Sequence, residues 1–195
     1  MKALTFVLIL IISTQFIFAQ NKREQNVPVP VRDSIIYYEG VMKANPDLTT
    51  DQLYQQVRHW ASTKNIVLPA TAPVLYENPK EGLISARFVF NSIRFGPAVY
   101  ANYLLPHGII YFQIKQGKIK YIITDISYTH GEYNVSYYWE RLGNSKNLIF
   151  KATSERNTKA IRSEFMHYLT EMNQIIQNQL VSLQAFISKP LFDEF

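Results

Sequence analysis

The sequence has 195 residues and contains no cysteine. Without thiols the chain can form no disulfide framework, no thiolate metal site, no cysteine nucleophile and no lipid attachment at cysteine. Glycine is scarce too, at 7 residues, and none belongs to a glycine-rich phosphate-binding loop. These absences exclude thiol enzymes, disulfide-stapled scaffolds and nucleotide-binding proteins of the phosphate-loop type.

The sequence also lacks catalytic motifs. The four histidines are His59, His107, His130 and His167, and none has the spacing of a metal-binding motif. Ser85 lies inside a predicted strand, not at the strand-to-helix turn that carries a serine nucleophile. Glu77 and Glu81 flank a predicted turn, and Glu132 and Glu140 bracket a predicted strand, where carboxylates usually face water. We therefore predict no catalytic residue, no metal and no cofactor, and we expect the chain not to be an enzyme.

A long hydrophobic run lies at the N-terminus. Lys2 precedes an apolar run over residues 4–18, and Ala19-Gln20 is a plausible cleavage point. This pattern predicts a signal peptide over residues 1–19. An uncleaved anchor is the alternative, although a membrane span needs about 20 apolar residues. No later run is long and apolar enough to cross a membrane, so we expect an exported, soluble chain, most simply in the periplasm.

The stretch from Gly108 to Tyr128 organises the rest of the chain. Apolar residues alternate with polar ones on both sides of Gln116-Gly117, which predicts an antiparallel hairpin. The predicted cross-strand pairs are Lys115 with Lys118, Ile114 with Ile119, Phe112 with Tyr121, and Ile110 with Ile123. The core face then holds Ile110, Phe112, Ile114, Ile119, Tyr121 and Ile123, and the other face holds Gln113, Lys115, Lys118 and Lys120.

Two helices and further strands complete the predicted elements. A capping box at Thr49–Gln52 starts a helix that ends near Lys64, and its apolar stripe is Leu53, Tyr54, Val57, Trp60 and Ala61. A second helix spans about 157–187, with Ile161, Phe165, Leu169, Met172, Ile176, Leu180 and Leu183 as its stripe. Strands are predicted over residues 34–42, with Ile36, Tyr38 and Met42 inward, and over residues 74–76, 83–91, 99–104, 133–139 and 147–151. The strand over residues 83–91 turns Ile84, Ala86, Phe88 and Phe90 inward and Ser85, Arg87 and Val89 outward.

These elements predict a two-layer α+β fold, in which an antiparallel curved sheet carries both helices on one face. The predicted organisation is a signal peptide over residues 1–19 and a linker or extended lead-in over residues 20–33. One domain follows, with a first part over residues 34–128 and C-terminal strands and a long helix over residues 129–195.

Three short motifs stand out in the first two thirds of the chain. They are Leu53-Tyr54 with Trp60, then Glu81-Gly82-Leu83-Ile84, then Lys115–Tyr121 ahead of Ile123–Ile126. They resemble those of an exported bacterial family. Together they resemble a domain of unknown function with a fold similar to the TATA-binding protein. The resemblance covers roughly residues 34–128 and implies the fold and an envelope location, but no activity and no catalytic residue.

The sequence departs from the family at the hairpin turn. The family often has Asp-Gly there, whereas this chain has Gln116-Gly117. Glutamine is less suited to positive φ, so a type II′-like or bulged turn is expected. The family's aromatic and arginine after the turn are replaced by Ile119 and Lys120.

The predicted outer sheet face is the candidate binding site. Its residues are Arg87, Tyr111, Lys115, Lys118 and Lys120. They suit an anionic partner, but lysine is also the ordinary residue of a solvated sheet face. Four cations and an expected export argue against nucleic acid. A second aromatic set either lines a ligand pocket or packs the sheet: Tyr100, Tyr103, Tyr133, Tyr137, Tyr138 and Trp139.

The predicted function is therefore a non-catalytic binding module of the cell envelope, which contacts a protein or glycan through the outer face. The alternative is a carrier that holds a small apolar ligand between the long helix and the sheet.

Overall fold

The computed structural model describes residues 26–63, 74–89, 93–95, 102–131 and 140–190. The predicted signal peptide and the predicted strand over residues 133–139 lie outside these ranges, as does Phe90. Of the candidate pocket aromatics, Tyr103 alone lies within them.

The described residues form nine strands and three helices. In chain order they are β1 (Val31–Arg32), β2 (Ile35–Ile36), β3 (Tyr38–Lys43), α1 (Thr50–Thr63), β4 (Val74–Asn78), β5 (Leu83–Val89), β6 (Ile93–Phe95), β7 (Asn102–Lys115), β8 (Lys118–Gly131), β9 (Glu140–Asn144), α2 (Ser145–Thr153) and α3 (Lys159–Ile187).

The strands β7 and β8 form one long antiparallel hairpin at the centre of the sheet. The pairs predicted from the sequence are confirmed: Lys115–Lys118, Ile114–Ile119, Phe112–Tyr121 and Ile110–Ile123. The core face is confirmed as well, because its four isoleucines and Phe112 are at most 2 % exposed. Tyr121 is partly buried and packs against the same core.

The turn of this hairpin is neither of the two expected forms, type II′-like or bulged, because the register continues unbroken through Lys115–Lys118. Gly117 has φ 68, whereas Gln116 has no positive φ, and a type II′ turn needs positive φ at its first central residue. Gln116 contributes its side chain instead: Nε2 donates to the Leu48 carbonyl at 2.9 Å, and Oε1 accepts from the Thr50 hydroxyl at 3.2 Å. These bonds tie the turn to the segment that leads into α1, a role that a shorter aspartate could not fill in the same way.

The main sheet has the strand order β3-β8-β7-β5-β4. In addition, β6 pairs with the start of β7, and β9 with the end of β8. All of these pairings are antiparallel. The long central hairpin therefore has different neighbours along its length.

The helices cover one face of this sheet, which is called the inner face here. Trp60 of α1 stacks on Phe88 at a centroid distance of 6.0 Å and meets Phe112 edge-on at 6.2 Å. Tyr168 of α3 lies against Tyr128, with 6.2 Å between ring centroids. The predicted two-layer α+β class is confirmed, although the helical layer holds three helices where two were predicted.

Helix α1 begins with the predicted capping box. Gln52 N–H donates to Thr49 Oγ1 at 3.2 Å, and Thr49 N–H donates to Gln52 Oε1 at 2.9 Å. This reciprocal pair satisfies two amide groups that a helix start otherwise leaves without a partner. The whole predicted apolar stripe of α1 is buried.

Helix α2 corrects the strand predicted over residues 147–151. Asn144 caps it, and its side chain accepts from the Asn147 amide at 3.2 Å. Leu148, Ile149 and Ala152 are buried on one side, which is helical spacing. A short apolar run fits either element by pattern alone, and the cap decides for the helix.

Helix α3 closely matches the predicted second helix. Its stripe is buried except at Ile161, which is 39 % exposed, because it lies in the first turn, before the helix reaches the core. Tyr168 and Ile187 are buried members that the predicted stripe did not contain. Among the described helices, none combines the length and the apolar character of a membrane span.

The lead-in over residues 26–33 is part of the folded core. Val29 is only 6 % exposed, and β1 pairs with β2 across Asp33-Ser34, both of which have positive φ. Positive φ at both loop residues is the geometry of a type I′ hairpin. The predicted strand over residues 34–42 is thus divided between this small hairpin and β3, with its inward residues Ile36, Tyr38 and Met42 buried as predicted.

Two buried tyrosines provide a matched test of the helix–sheet interface. Tyr38 donates its hydroxyl to Asn173 Oδ1 at 2.9 Å, whereas the Tyr168 hydroxyl has no hydrogen-bond partner among the described residues. Burial raises the pKa of both hydroxyls above the ordinary range. A buried hydroxyl without a partner gives up its hydrogen bonds to water and gains none in the fold, so Tyr168→Phe should raise the free energy of unfolding by about 1 kcal/mol. Tyr38→Phe removes a hydrogen bond to Asn173 and should lower the free energy of unfolding by about 1 kcal/mol. Urea denaturation of both variants measures the two changes, and a loss in Tyr168→Phe would contradict this environment.

Candidate functional site: the outer face of the sheet

The face opposite the helices, the outer face, is ordered in rows that run across the strands. The register places Lys43, Lys118 and Lys115 in one row, at the turn end of the central hairpin. The next rows are Val41, Lys120, Gln113, Leu83 and Asn78, and then Glu39, Ile122, Tyr111, Ser85 and Tyr76. Two further rows hold Thr124, Ile109 and Arg87, and Ser127, His107 and Val89. Successive rows lie about 6.6 Å apart along the strands.

The first row forms a basic end, which consists of Lys43, Lys115 and Lys118. All three residues are exposed, and among the described residues none of them takes part in an ion pair. Like charges side by side on a sheet repel each other. The basic end is therefore ready to accept an anionic group.

Lys120, which was predicted to join this cationic surface, is neutralised within the chain. Its Nζ lies 2.5 Å from Glu39 Oε1, and Arg32 approaches the other carboxylate oxygen at 3.6 Å. The hydrogen bond from Lys120 holds the pKa of Glu39 below its usual value, and the bond to Glu39 raises the pKa of Lys120. The sequence analysis did not find this pair, because it depends on the β3–β8 register.

The third row forms a tyrosine band, made of Ile122, Tyr111, Ser85 and Tyr76. Tyr76 is 54 % exposed and Tyr111 is 40 % exposed, while Ser85 between them is buried. The sequence predicted Ser85 as an outward residue, and it is outward; the two large neighbours account for its burial. Val41, on the edge strand β3, is 64 % exposed as well, but three strands separate it from Tyr76 on β4. Large exposed side chains such as Tyr76 and Tyr111 are typical of a contact surface.

A bulge in β8 interrupts the rows beyond this band. Asp125 and Ile126 stand together opposite Gly108, and Asp125 takes φ 53. Aspartate tolerates this left-handed conformation better than most residues. The bulge turns Ile126 to the core and Ser127 to the outer face, and bulges of this kind often lie beside functional sites.

A hollow of about 400 Å³ opens over the bulge. It is lined by Arg87 and Val89 of β5, His107, Gly108 and Ile109 of β7, and Asp125 and Ser127 of β8. Ligand sites commonly have volumes of about 300 to 1,000 Å³. The hollow thus has the size of a small-molecule site, on the face opposite α3.

Ser127 and His107 meet inside the hollow. The Ser127 hydroxyl lies 3.0 Å from His107 Nδ1 and 3.5 Å from Nε2, so it faces the ring edge between the two nitrogens. The hydroxyl is therefore within hydrogen-bonding distance of the ring. In the part of the chain that is described, no group of three acidic or histidine side chains could hold a metal ion.

The five predicted site residues share the outer face but not one location. Lys115 and Lys118 lie at the basic end, Tyr111 lies in the tyrosine band, Lys120 is paired with Glu39, and Arg87 lines the hollow. Sequence reasoning missed Tyr76 as a partner of Tyr111, because the β4–β5 register was not predicted. It also missed His107, Asp125 and Ser127 as neighbours. The spacing of three between the core residues Ile123 and Ile126 breaks the alternation and was the available signal for the bulge.

The fold defines the class of this protein: a two-layer α+β domain with a TATA-binding-protein-like sheet. The sequence matches no protein-family model and no curated protein. Two solved structures resemble it. One is a DUF4468 family protein from Bacteroides ovatus, with a TM-score of 0.58 at 14 % identity over 85 % of this chain and 94 % of that chain. The other is a TBP-like protein from Parabacteroides distasonis, with a TM-score of 0.57 at 10 % identity over 82 % and 96 %. The TATA-binding-protein-like fold that the sequence resemblance implied is confirmed.

Proposed function

We propose that the chain is a non-catalytic, exported binding module whose outer face docks another protein of the cell envelope. The observation that carries this proposal is the tyrosine band, in which the exposed side chains of Tyr76 and Tyr111 flank Ser85. The basic end lies two rows away on the same face. Aromatic side chains provide large contact area at low conformational cost. The lysines of the basic end take part in no ion pair among the described residues, and they select a partner with acidic side chains.

A protein partner suits this surface better than a glycan or a nucleic acid. Tyrosines stack on sugars, but a neutral glycan offers no counter-charge to Lys115 and Lys118, whereas an acidic protein segment does. A nucleic acid would call for a larger excess of cations, because neutralising phosphates supplies much of the affinity, and Lys120 is already paired with Glu39.

The hypothesis of an apolar carrier receives no support from the hollow. Its lining includes Arg87, Asp125 and His107, which are polar or charged, and it lies away from α3. A site for an apolar ligand would be lined mainly by apolar side chains.

A matched pair of variants tests the docking function. Tyr111→Thr combined with Lys118→Glu removes the centre of the tyrosine band and reverses a charge at the basic end, while threonine keeps the strand propensity. The control combines Phe150→Ala with Lys146→Glu in α2, where both side chains are exposed. The proteins are immobilised, exposed to envelope extract from the producing cells, and the bound proteins are quantified by mass spectrometry.

We expect one protein to bind the unaltered chain and the control equally. Its affinity for the outer-face variant, measured afterwards with the purified partner, should fall at least about thirtyfold, as for loss of an interfacial hot spot. Binding should also weaken as salt is raised, because the charge contacts are screened. A partner lost with the α2 control, and retained by the outer-face variant, would refute docking at the outer face.

A further inference from the structure

The hollow carries two opposite charges that do not pair with each other. Arg87 lies on β5 and Asp125 on β8, with β7 between them. Among the described residues, neither side chain takes part in an ion pair. Elsewhere on the same face, the opposite charges of Lys120 and Glu39 meet at 2.5 Å. The hollow is therefore a place where a cation and an anion are held apart around open space.

We propose that the hollow binds a small zwitterion with an apolar body, of the size of a dipeptide. Arg87 binds the carboxylate of the ligand and Asp125 binds its ammonium group. Val89 and Ile109, which also line the hollow, contact the apolar body. This site is separate from the docking function, because its residues are not those of the basic end or the tyrosine band.

The size follows from the strand geometry. The strands that carry Arg87 and Asp125 are two strand spacings apart, which is about 9.5 Å. A dipeptide spans at most about 7 Å, so two side chains that reach inward can contact its two ends. A single small anion would be attracted by Arg87 but repelled by Asp125, and a simple cation would be attracted by Asp125 but repelled by Arg87.

The bulge is the element that builds this site. Regular alternation would turn Asp125 toward the core, but the extra residue leaves it exposed in the left-handed conformation and brings Ser127 beside His107. Gly108 lets β7 and β8 approach at this point, because a Cβ there would lie 2.9 Å from the Thr124 carbonyl oxygen. Ser127 and His107 supply further hydrogen-bonding groups to the polar backbone of a peptide.

The test uses L-alanyl-L-leucine as the probe. Two blocked forms serve as chemical controls: the N-acetyl peptide lacks the ammonium group, and the peptide amide lacks the carboxylate. Titration is followed in ¹⁵N–¹H spectra of the mature chain, up to about 10 mM peptide, which reaches weak millimolar affinities. We expect saturable shifts at the amides of Ile109, Asp125 and Ser127, and at least about tenfold weaker binding of each blocked form.

Variants assign the two charges. Arg87→Gln should weaken binding of the free dipeptide at least about tenfold. The peptide amide should then bind this variant no worse than the free dipeptide does, because the carboxylate has lost its partner. Asp125→Asn should likewise weaken binding of the free dipeptide and bind the N-acetyl peptide no worse than the free one, and asparagine keeps the left-handed conformation. Lys146→Gln on α2 is the control and should bind as the unaltered chain does. Absence of saturable shifts, or equal affinity for free and blocked peptides, would overturn the zwitterion site without affecting the docking proposal, whose variants lie elsewhere on the face.

Discussion

Replacing Gly82 by alanine should lower the free energy of unfolding by at least about 3 kcal/mol. Gly82 has φ 65, a conformation in which a side chain is strained. In addition, a Cβ at this position would overlap the backbone carbonyl oxygen of Ile114, and the Gly82 carbonyl accepts the Ile114 amide at 2.8 Å. The clash is therefore with the backbone of the central hairpin, which cannot move without breaking this bond.

Gly117 provides the matched control for this substitution. Its φ of 68 is almost the same, but a Cβ there would meet nothing within 4 Å. Gly117→Ala should therefore cost only the conformational strain, about 1 to 2 kcal/mol. Denaturant unfolding of both variants isolates the contact with Ile114 as the difference between them. Equal losses of stability in the two variants would contradict the close approach of Gly82 to Ile114 of β7.

The second large effect is expected at Trp60. Its side chain is 1 % exposed and packs between α1 and the sheet against Phe88 and Phe112. Trp60→Ala should cost about 3 to 5 kcal/mol, the usual range for a large aromatic removed from a core. Thermal and urea unfolding followed by circular dichroism measure the loss.

Tyr111→Thr is the counterpart on the other face of the same sheet. Because Tyr111 is 40 % exposed, its loss should change the free energy of unfolding by less than about 1 kcal/mol. The two results together separate residues that hold the fold from residues that are free to serve a partner. A large loss at Tyr111 would mean that the outer face is part of the core and not a contact surface.

The central hairpin was predictable because two independent signals agree. The alternation across residues 108–123 fixes the faces, and the two-residue loop at Gln116-Gly117 fixes the register. The capping box of α1 and the stripe of α3 were predictable for a similar reason: each depends on residues close together in the sequence.

The missed features depend on contacts between distant segments or on unusual local geometry. The type I′ turn of β1 and β2 uses Asp33-Ser34 in place of a glycine-containing pair, so no strong hairpin signal was present. The strand predicted over residues 147–151 is helical because of a cap at Asn144. The Glu39–Lys120 pair needed the β3–β8 register, which no sequence pattern specified.

The candidate site was predicted by face but not by arrangement. Alternation placed Arg87, Tyr111 and the lysines on one side of the sheet, and the structure agrees. The sequence could not show that Tyr76 extends the tyrosine band. Nor could the sequence show that the bulge at Asp125 helps to form the hollow. The lining residues, such as Arg87 and Ser127, are far apart in the chain and come together only when β5, β7 and β8 pair.

Photo-crosslinking in the producing cells tests the proposed docking surface most directly. A photoreactive phenylalanine analogue is placed at Tyr76 or Tyr111 on the outer face, or at Phe150 on α2, where the native side chain is 54 % exposed. The account predicts the same protein adduct from positions 76 and 111 and none from position 150. An adduct from position 150 with none from either tyrosine position would contradict it.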